Sequence, residues 1–256
     1  EKLCQANQNA SMTVLSAQLD DGKHYGRIVR DDNGHVTGIV EAKDCTKEQL
    51  EITEINAGMY CFKNQDLFQN LDKLQTNNAQ NEYYLTDMVS ILCQQGKDVN
   101  AMIIEDRDEA MGINDMKELY KAYEWMKDKI NTSWMENGVQ IVDPSRTVIG
   151  KDVQIEKGVI IHPNVEILGK TIIKQGAEIL PGSYLDNAII GQDVIIDSSR
   201  ITDSSVGKAT TIGPMSHLRN NTNIGENCRI GNFVEFKNSN FGNGSKCAHL
   251  TYVGDS

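Results

Sequence analysis

The sequence lacks the features that mark several classes of protein. Its 256 residues include 25 Lys and Arg against 36 Asp and Glu, which gives a formal net charge of −11. Because a nucleic-acid binder needs a basic surface to neutralise phosphates, we expect no nucleic-acid partner. The chain has no apolar run of about eighteen residues and does not open on a secretory signal, so we expect no membrane span.

The cysteines also lack a pattern. The six of them stand at positions 4, 45, 61, 93, 228 and 247, with no CxxC pair and no zinc-like spacing. Cysteines without a pattern in a chain of this length are typical of reduced thiols rather than of a disulfide framework. We therefore expect a cytoplasmic protein.

Up to about residue 145, strand-like segments alternate with helix-like ones. Strands are predicted over 13–18, 25–30, 36–41, 55–62 and 99–105, and helices over 82–95 and 115–137. This alternation predicts an α/β sheet domain. In the second helix, Asp115 and Glu118 have the spacing of a capping box. That helix fits equally well a position packed on the first domain and a connecting arm.

From residue 149 onward, apolar residues recur at a period of six. These anchors, separated by a few five-residue steps, are Ile149, Ile155, Ile161, Ile167, Ile173, Ile179, Leu185, Ile190, Ile196, Ile201, Val206, Ile212, Leu218, Ile224, Ile230, Phe236, Phe241, Cys247 and Val253. The period predicts a parallel β-helix of roughly six coils, in which three hexads close one coil and each anchor points inward. A Gly often follows the anchor, and we expect it to permit a tight corner.

Local strings narrow the choice among proteins with such repeats. The strings that carry the resemblance are Tyr25–Arg27, Gly38–Glu41, Glu54–Gly58, Asn77–Asp87, Gly112–Asp115, His217–Arg219, Gly231–Lys237 and Ala248–Asp255. In order and spacing they resemble the bifunctional bacterial N-acetylglucosamine-1-phosphate uridyltransferase / glucosamine-1-phosphate N-acetyltransferase family. The resemblance covers nearly the whole chain.

The resemblance implies a fold and two activities. It implies an α/β nucleotidyltransferase-like (Rossmann-like) partial domain over 1–114, a connecting helical arm over 115–147, and a left-handed parallel β-helix over 148–256. It implies a homotrimer that makes UDP-N-acetylglucosamine. Acetyl-CoA would acetylate glucosamine 1-phosphate, and the resulting N-acetylglucosamine 1-phosphate would then react with UTP in a Mg²⁺-dependent step.

The chain departs from the family at both ends. The Gly-rich GxGTRM nucleotide loop and an upstream metal-binding aspartate do not occur in it. The coils that would hold acetyl-CoA would follow Ser256. We therefore expect a fragment that lacks the nucleotide-binding part and the last coils.

The resemblance implies roles for residues of the β-helix. His249 would be the general base that takes a proton from the sugar amine, a task that suits an ordinary imidazole with a pKa near 6.5. Arg219 and Lys237 are one coil apart and, with Tyr252, would bind the sugar 1-phosphate. Glu235 would orient the substrate. Without the resemblance, the histidine and the two cations fit ordinary surface positions.

In the first part, the resemblance assigns sugar-binding roles to three residues. Gly26 would donate its backbone N–H, Glu41 would accept from hydroxyls, and Asn56 would donate to the same sugar. Two nearby residues, Tyr84 and Thr86, would belong to the same site. Without the resemblance these positions fit a turn glycine, a solvated acid and a strand-edge amide.

Asn114 would contribute to the uridyltransferase substrate site and serve as a Mg²⁺ ligand, although its local sequence fits a helix cap equally well. A single Asn without the upstream aspartate should bind Mg²⁺ poorly, since Mg²⁺ is held by carboxylates together with phosphates.

Three alternatives remain open at this point. One is another sugar-phosphate nucleotidyltransferase whose β-helix is regulatory, and a second is a β-helix scaffold without catalysis. The third is a zinc enzyme of the carbonic anhydrase type, which would need three convergent histidines. His162, His217 and His249 are far apart in coil number, so we do not expect zinc.

We predict that this chain has no uridyltransferase activity, because nucleotidyl transfer needs the metal and the nucleotide loop to offset the phosphate charges. The measurement is turnover of UTP and N-acetylglucosamine 1-phosphate with Mg²⁺. Robust formation of UDP-N-acetylglucosamine would contradict this prediction.

Overall fold

The computed structural model describes residues 2–22 and 24–256. The chain divides into two compact units, residues 1–122 and 123–256. No helix within these described ranges combines the length and the apolar character needed to cross a bilayer.

Unit 1 is a five-stranded sheet with short helices. Its strands are β1 (Met12–Gln18), β2 (Arg27–Arg30), β3 (Val36–Val40), β4 (Glu54–Phe62) and β5 (Val99–Ile103), and its short helices are α1 (Lys2–Ala6), α2 (Lys47–Leu50), α3 (Asn64–Phe68) and α4 (Asp87–Gln94). The strand order is β3-β2-β4-β1-β5. Only β5 runs parallel to its neighbour, while the other pairs are antiparallel. The predicted α/β sheet is present.

The apolar face of α4 covers this sheet. Met88, Val89 and Leu92 are fully buried and pack in one cluster with residues of β1 and β3. The helix begins at Asp87, later than the predicted start at 82. The preceding loop is held instead by the carboxamide of Asn78, which donates to the carbonyl of Glu82 (2.6 Å). A side chain that bonds to nearby backbone in this way favours a turn over a helix.

The boundary between the two units falls within helix α5 (Met116–Glu136). Its start is capped as the sequence suggested, since Asp115 Oδ1 accepts from the N–H of Glu118 (2.7 Å). The Glu118 carboxylate accepts from the N–H of Asn114 (2.8 Å), one residue earlier than in a standard capping box. The division into 1–114, 115–147 and 148–256 stays a prediction.

Within unit 2, two buried polar side chains of α5 attach this helix to the segment that opens the β-helix. Asn131 Nδ2 donates to the carbonyls of Pro144 and Thr147 (3.0 Å each). One turn earlier, Lys127 Nζ donates to the carbonyl of Ser145 (2.9 Å). Buried donors with such partners fix the register between the helix and the first coil.

Unit 2 is a parallel β-helix of short strands. They are β6 (Gln140–Ile141), β7 (Thr147–Ile149), β8 (Gln154–Ile155), β9 (Ile160–Ile161), β10 (Val165–Leu168), β11 (Ile172–Ile173), β12 (Glu178–Ile179), β13 (Tyr184–Asp186), β14 (Ile189–Ile190), β15 (Ile195–Ile196), β16 (Arg200–Thr202), β17 (Ser205–Val206), β18 (Thr211–Ile212), β19 (His217–Arg219), β20 (Asn223–Ile224), β21 (Arg229–Ile230), β22 (Val234–Lys237), β23 (Asn240–Phe241), β24 (Lys246–Cys247) and β25 (Thr251–Gly254). They form three sheets of seven, six and seven strands. The first of these, which we call sheet C, has the order β25-β22-β19-β16-β13-β10-β7.

Strand pairing explains the irregular period of the anchors. Ile167 pairs with Leu185, and Leu185 pairs with Ile201, so coil length varies while the neighbours stay in register. The anchors from Ile149 to Phe236 are all buried, at 8 % exposure or less. The five-residue steps are therefore shorter corners rather than breaks in the core.

Among the glycines after the anchors, Gly213 has a positive φ (103°) as a corner glycine would, but Gly207 has a different role from the one expected. Positive φ angles in the β-helix fall mainly on residues other than glycine, for example Asn187 (49°) and Asp203 (45°). Gly207 has no positive φ, but a Cβ there would lie 2.6 Å from the backbone carbon of Gly225 on the next coil. The expectation of a corner role was wrong at this position, because close approach between coils is what excludes a side chain.

We predict that Gly207→Ala destabilises unit 2 by about 2 kcal/mol, because the added methyl group would force adjacent coils apart. The thermal unfolding midpoint should fall by about 5 °C or more. Gly242→Ala is the matched control, since it follows the anchor Phe241 and its added Cβ would meet only Ser245 Oγ, at 3.9 Å. Equal midpoints for the two variants would contradict the close-approach explanation.

Candidate functional site

Three of the residues assigned to sugar binding lie together in unit 1. The N–H of Asn56 donates to the carbonyl of Gly26 (2.8 Å). A Cβ on Gly26 would lie 3.3 Å from Glu41 Oε2, so that carboxylate lies against the glycine. Thr86 Oγ1 donates to Glu41 Oε1 (3.1 Å), and Thr86 itself is buried. The arrangement presents a backbone amide, a carboxylate and a carboxamide within one small region.

Tyr60 belongs to this cluster, although no sequence motif pointed to it. Asn56 Nδ2 donates to the hydroxyl of Tyr60 (2.7 Å), and Asn56 Oδ1 accepts from the N–H of Gly58 (2.9 Å). Burial raises the pKa of Tyr60 and the Glu41 carboxylate raises it further, against the hydrogen bond from Asn56. The phenol therefore stays neutral and orients the Asn56 amide.

A bulge in β4 is what brings Tyr60 to Asn56. On the facing strand, Ser16 pairs with Asn56 and Val14 pairs with Tyr60, so β4 has two extra residues at this point. Gly58 lies in the bulge with a φ of 75°. Bulges of this kind change the direction of side chains beside functional sites. Strand pairing, rather than local sequence, determines where the bulge falls.

One wall of the site is the loop before α4. Tyr84 accepts a hydrogen bond from Gln80 Nε2 (2.7 Å), and Gln80 Oε1 accepts from Lys43 Nζ (2.5 Å). Asp44 Oδ1 accepts from the N–H of Ala79 (2.8 Å). These bonds hold the loop, with Tyr84 on it, against the residues that follow Glu41, but they do not bring Tyr84 into contact with Gly26, Glu41 or Asn56.

The start of β4 is fixed by an ion pair between the buried carboxylate of Glu54 and the partly exposed side chain of Arg30. Arg30 donates to both carboxylate oxygens of Glu54 (2.8 Å each), and Ser16 Oγ donates to Glu54 Oε1 (2.7 Å). Burial opposes ionisation of Glu54, but the bonds from Arg30 and Ser16 outweigh it and lower its pKa. The pair therefore holds the strand two residues before Asn56.

Asn114 has partners of its own. Its Nδ2 lies 3.1 Å from His24 Nε2 and 3.2 Å from Glu118 Oε2, and the residue is exposed. His24 and Glu118 also line a cleft of about 400 Å³ with Tyr25 and Arg107. Gly112 is tied back to this region, because its N–H donates to the hydroxyl of Tyr25 (2.6 Å).

The residues present do not fit a Mg²⁺ site. Mg²⁺ requires near-octahedral oxygen ligands, whereas the surroundings of Asn114 offer one amide, one carboxylate and an imidazole. Across residues 2–22 and 24–256, no three His, Cys, Asp or Glu side chains converge on a point that could hold a metal. The role of Asn114 as a ligand stays a prediction.

In unit 2, Arg219 and Lys237 are direct register partners. Arg219 lies on β19 and Lys237 lies on β22, the next strand of sheet C. Their side chains extend from the same face of the coil stack, as the separation of one coil predicted. Arg219 Nε donates to Glu235 Oε1 (2.7 Å), and Lys237 Nζ lies 3.2 Å from Asp255 Oδ2.

The acidic partners link these cations into one surface. Hydrogen bonds from Asn238 and then from Lys237 lower the pKa of Asp255, and the charge of Arg219 adds to the effect. Arg219 is therefore close enough to act on the carboxylate that pairs with Lys237. All four charged side chains are at least partly exposed, so each ion pair contributes little to stability and can exchange for another anion.

Tyr252 lies on β25, the strand next to β22 in sheet C, and His249 lies on the corner just before β25. Tyr252 of β25 pairs with Glu235 of β22, and the next pair along these two strands is Val253 with Phe236. His249 occupies the corner between β24 and β25, where its carbonyl accepts from Thr251 Oγ1 (2.9 Å). Both side chains are exposed. Tyr252 therefore lies beside Glu235 on sheet C, and His249 lies on the corner that leads into the strand carrying Tyr252.

His217 also belongs to this face, although the resemblance implied no role for it in the sugar site. It pairs with Arg200 on one side and Glu235 on the other. Burial lowers the pKa of His217 and the charges of Arg219 and Arg200 lower it further, while Glu235 opposes the shift. The position of His217 on this face could have been predicted from the coil register, because His217 lies one coil before Glu235.

Family models match both units. Residues 1–138 match the nucleotidyl transferase model, and residues 203–238 match the bacterial transferase hexapeptide (six repeats) model. The first match covers the α/β sheet of unit 1, and the second lies within the β-helix of unit 2. The chain belongs to the nucleotidyl transferase family. The fold expected from the sequence, a nucleotidyltransferase-like part followed by a parallel β-helix, is confirmed.

Individual relatives confirm the resemblance. The chain is 48% identical over 244 residues to bifunctional protein GlmU of Clostridium novyi (strain NT), covering 95% of this chain and 53% of that protein. It is 44% identical over 252 residues to bifunctional protein GlmU of Nostoc sp. (strain PCC 7120), covering 98% and 55%. The chain therefore spans about half the length of the curated relatives it matches.

A solved structure of perosamine N-acetyltransferase from Caulobacter crescentus aligns with a TM-score of 0.35 and 11% identity, over 63% of this chain and 82% of that chain. A similarity this low carries no argument about the site.

We predict that Glu54→Gln lowers the stability of unit 1 at pH 7 by about 2 kcal/mol, because Arg30 and Ser16 lose a charged acceptor. Since folding lowers the pKa of Glu54, its contribution is present above the unfolded value near 4.3 and is lost as the pH falls through the folded value. Urea unfolding of the variant should therefore show a flatter acid dependence. Glu51→Gln, at an exposed position, is the control and should retain the native slope.

Proposed function

We propose that the chain carries two sugar-phosphate subsites of an enzyme that makes UDP-N-acetylglucosamine. Unit 2 would bind glucosamine 1-phosphate for acetylation by acetyl-CoA. Unit 1 would bind the sugar of N-acetylglucosamine 1-phosphate for transfer of a uridylyl group from UTP. The support is the match to bifunctional relatives over nearly the whole chain together with the two clusters described above.

The observation that carries the proposal is the pairing of Arg219 with Lys237. Two cations adjoin on neighbouring strands of a chain whose net charge is −11. A phosphate dianion placed between them would accept the hydrogen bonds that Arg219 and Lys237 now donate to Glu235 and Asp255. The planar guanidinium of Arg219 can bind two oxygens, while Lys237 acts as a point charge. The hydroxyl of Tyr252 would donate to the same phosphate.

The acetyl transfer would then follow from the position of His249. Its imidazole would take a proton from the sugar ammonium, and the free amine nitrogen would attack the thioester carbonyl carbon of acetyl-CoA. The tetrahedral oxyanion would collapse as the C–S bond breaks, and the thiolate of coenzyme A would leave and take up the second proton, which the nitrogen loses as the amide forms. Glu235, once released from Arg219, would accept from a sugar hydroxyl.

In unit 1, the sugar would lie against Gly26. The N–H of Gly26 would donate to it, Glu41 would accept from its hydroxyls, and Asn56 would donate through its remaining N–H. Tyr60 and Thr86 hold Asn56 and Glu41 in place, which reduces the entropy that these side chains lose on binding. In the complete enzyme, the uridylyl step would use Mg²⁺, but no step is derived for it from the residues present.

We further propose that the protein is a cytoplasmic homotrimer formed through its β-helix. The support is the hexapeptide repeat itself, which belongs to a class of folds often found as trimers. Sedimentation equilibrium tests this assembly directly, and a monomer at micromolar concentration would contradict it.

We predict that glucosamine 1-phosphate binds this chain and that Arg219→Ala weakens the affinity by about 10- to 100-fold, the value of one charge-assisted pair. The measurement is isothermal titration calorimetry. The matched control is Arg229→Ala, which removes an exposed arginine from β21 in a different sheet and should bind as the native chain does. Equal weakening in both variants would indicate nonspecific charge attraction, and unchanged affinity in Arg219→Ala would contradict the proposed subsite.

A further inference from the structure

One arginine of sheet C lacks an acidic partner, although the chain has a net charge of −11. Arg200 lies on β16 and its side chain is exposed. Its guanidinium carbon lies 3.9 Å from the centroid of the Tyr184 ring, which belongs to the strand one coil earlier. Within residues 2–22 and 24–256, no carboxylate pairs with this guanidinium and no hydrogen bond leaves it. Its N–H groups are therefore available to a ligand.

The contact with Tyr184 restrains the guanidinium of Arg200. A guanidinium stacked on an aromatic ring is held by cation–π attraction, while its five N–H groups stay at the edge of its own plane. Such an edge can bind two oxygens of an anion at once. Because the stacking restricts a long side chain before any ligand arrives, less conformational entropy is lost on binding.

His217 brings a second donor to the same place. It lies on β19 and is the register partner of Arg200. Register partners on neighbouring strands point to the same face of the sheet and lie about 4.8 Å apart. The imidazole is half-buried, and among the residues that the structure describes it has no hydrogen-bond partner. An arginine and an imidazole thus lie side by side with their donors unused.

The charges around His217 favour an anion there. Arg200 on β16, Arg219 on β19 and Glu235 on β22 share the face that carries it. Arg219 donates to Glu235 (2.7 Å), so these two charges offset each other and the charge of Arg200 remains. Burial lowers the pKa of His217, and the two arginines lower it further while Glu235 opposes them. A bound anion would reverse the effect of the arginines.

We propose that Arg200 and His217, with Arg200 held on the ring of Tyr184, form a second anion subsite that binds a phosphate or sulfate group. It lies one coil before the pair of Arg219 and Lys237. The guanidinium of Arg200 would bind two oxygens of the group, and an imidazole N–H of His217 would donate to a third. A tetrahedral anion supplies that third oxygen, whereas a carboxylate has only two. The subsite does not depend on sugar-phosphate binding by unit 2.

The test follows the imidazole of His217 by NMR in the full chain with isotope-labelled histidine, and His217→Asn assigns its resonance. Sulfate is the probe, because it stays a dianion throughout the titration. Sulfate at about 20 mM should raise the pKa of His217 by about 0.5 or more, since a nearby dianion favours the charged ring. The comparison is sodium chloride at the same ionic strength, which accounts for screening. Equal pKa values in the two salts would overturn the proposal.

Variants at the stacked pair test the geometry through the same resonance. Arg200→Gln should weaken sulfate binding about 10-fold, because a charge-assisted pair is lost. Tyr184→Phe should bind sulfate as the native chain does, since a phenyl ring still stacks on the guanidinium. Tyr184→Leu should weaken binding several-fold. Unchanged affinity in Arg200→Gln would overturn the subsite.

Two controls separate this subsite from other cations. Arg229 is also exposed and, in the described part of the chain, has neither an acidic partner nor a stacked ring, so Arg229→Gln should bind sulfate as the native chain does. A loss in Arg229→Gln as large as in Arg200→Gln would indicate nonspecific attraction and overturn the proposal. Arg219→Ala should retain the response of His217. A response that survives Arg200→Gln but disappears in Arg219→Ala would place the ion with Arg219 and Lys237 instead, and would also overturn it.

A free ion and one end of a longer phosphate compound share this chemistry, and pyrophosphate distinguishes the two sources. Because Arg219 lies on the strand next to that of Arg200, a compound with two linked phosphate groups could contact both arginines. Pyrophosphate that binds at least about 100-fold more tightly than sulfate, and that both Arg200→Gln and Arg219→Ala weaken, would support a diphosphate as the ligand. Equal affinities, with only Arg200→Gln weakening binding, would support a single free ion.

Discussion

The stacking of one coil on the next is the constraint on which the rest of unit 2 depends. Each strand finds its partners on the coils before and after it, and the anchors fill the space they enclose. Since no coil can bury its apolar face alone, the repeats are stable only together. The same register places Arg219 beside Lys237 and Glu235 beside Tyr252, so the geometry of the candidate site is set by the packing that holds the fold together.

Unit 1 achieves a comparable arrangement by different means. Its polar cluster is assembled from separate loops and from a bulged strand, and buried partners hold it in place. Glu54, bound by Arg30, fixes the start of β4, and the bulge then turns Tyr60 toward Asn56. Short strands alone would not hold these side chains in place. Each contact restricts a side chain before the ligand arrives, so less conformational entropy is lost on binding.

Much of this could be predicted from the sequence, but unevenly. The period of the anchors predicted the β-helix because each inward position is repeated along the chain, and the same arithmetic placed Arg219 and Lys237 on adjacent coils. Tyr60 could not be predicted, because the bulge depends on which residues of β1 face β4. The role of Gly207 was misjudged for a related reason, since a close approach between coils leaves no trace in local backbone preference. The sugar-site roles came from resemblance and stay predictions.

Coil length is not uniform, and this has a consequence for how such a chain can vary. Ile167, Leu185 and Ile201 are neighbours in the core although the two intervals between them differ. A residue gained or lost at a corner is therefore absorbed within that corner, and every later coil keeps its alignment. A continuous helix would instead be rotated throughout by such an insertion. An insertion or deletion in this β-helix therefore changes a single corner. The corners of different coils can vary in length and sequence while the buried anchors stay aligned.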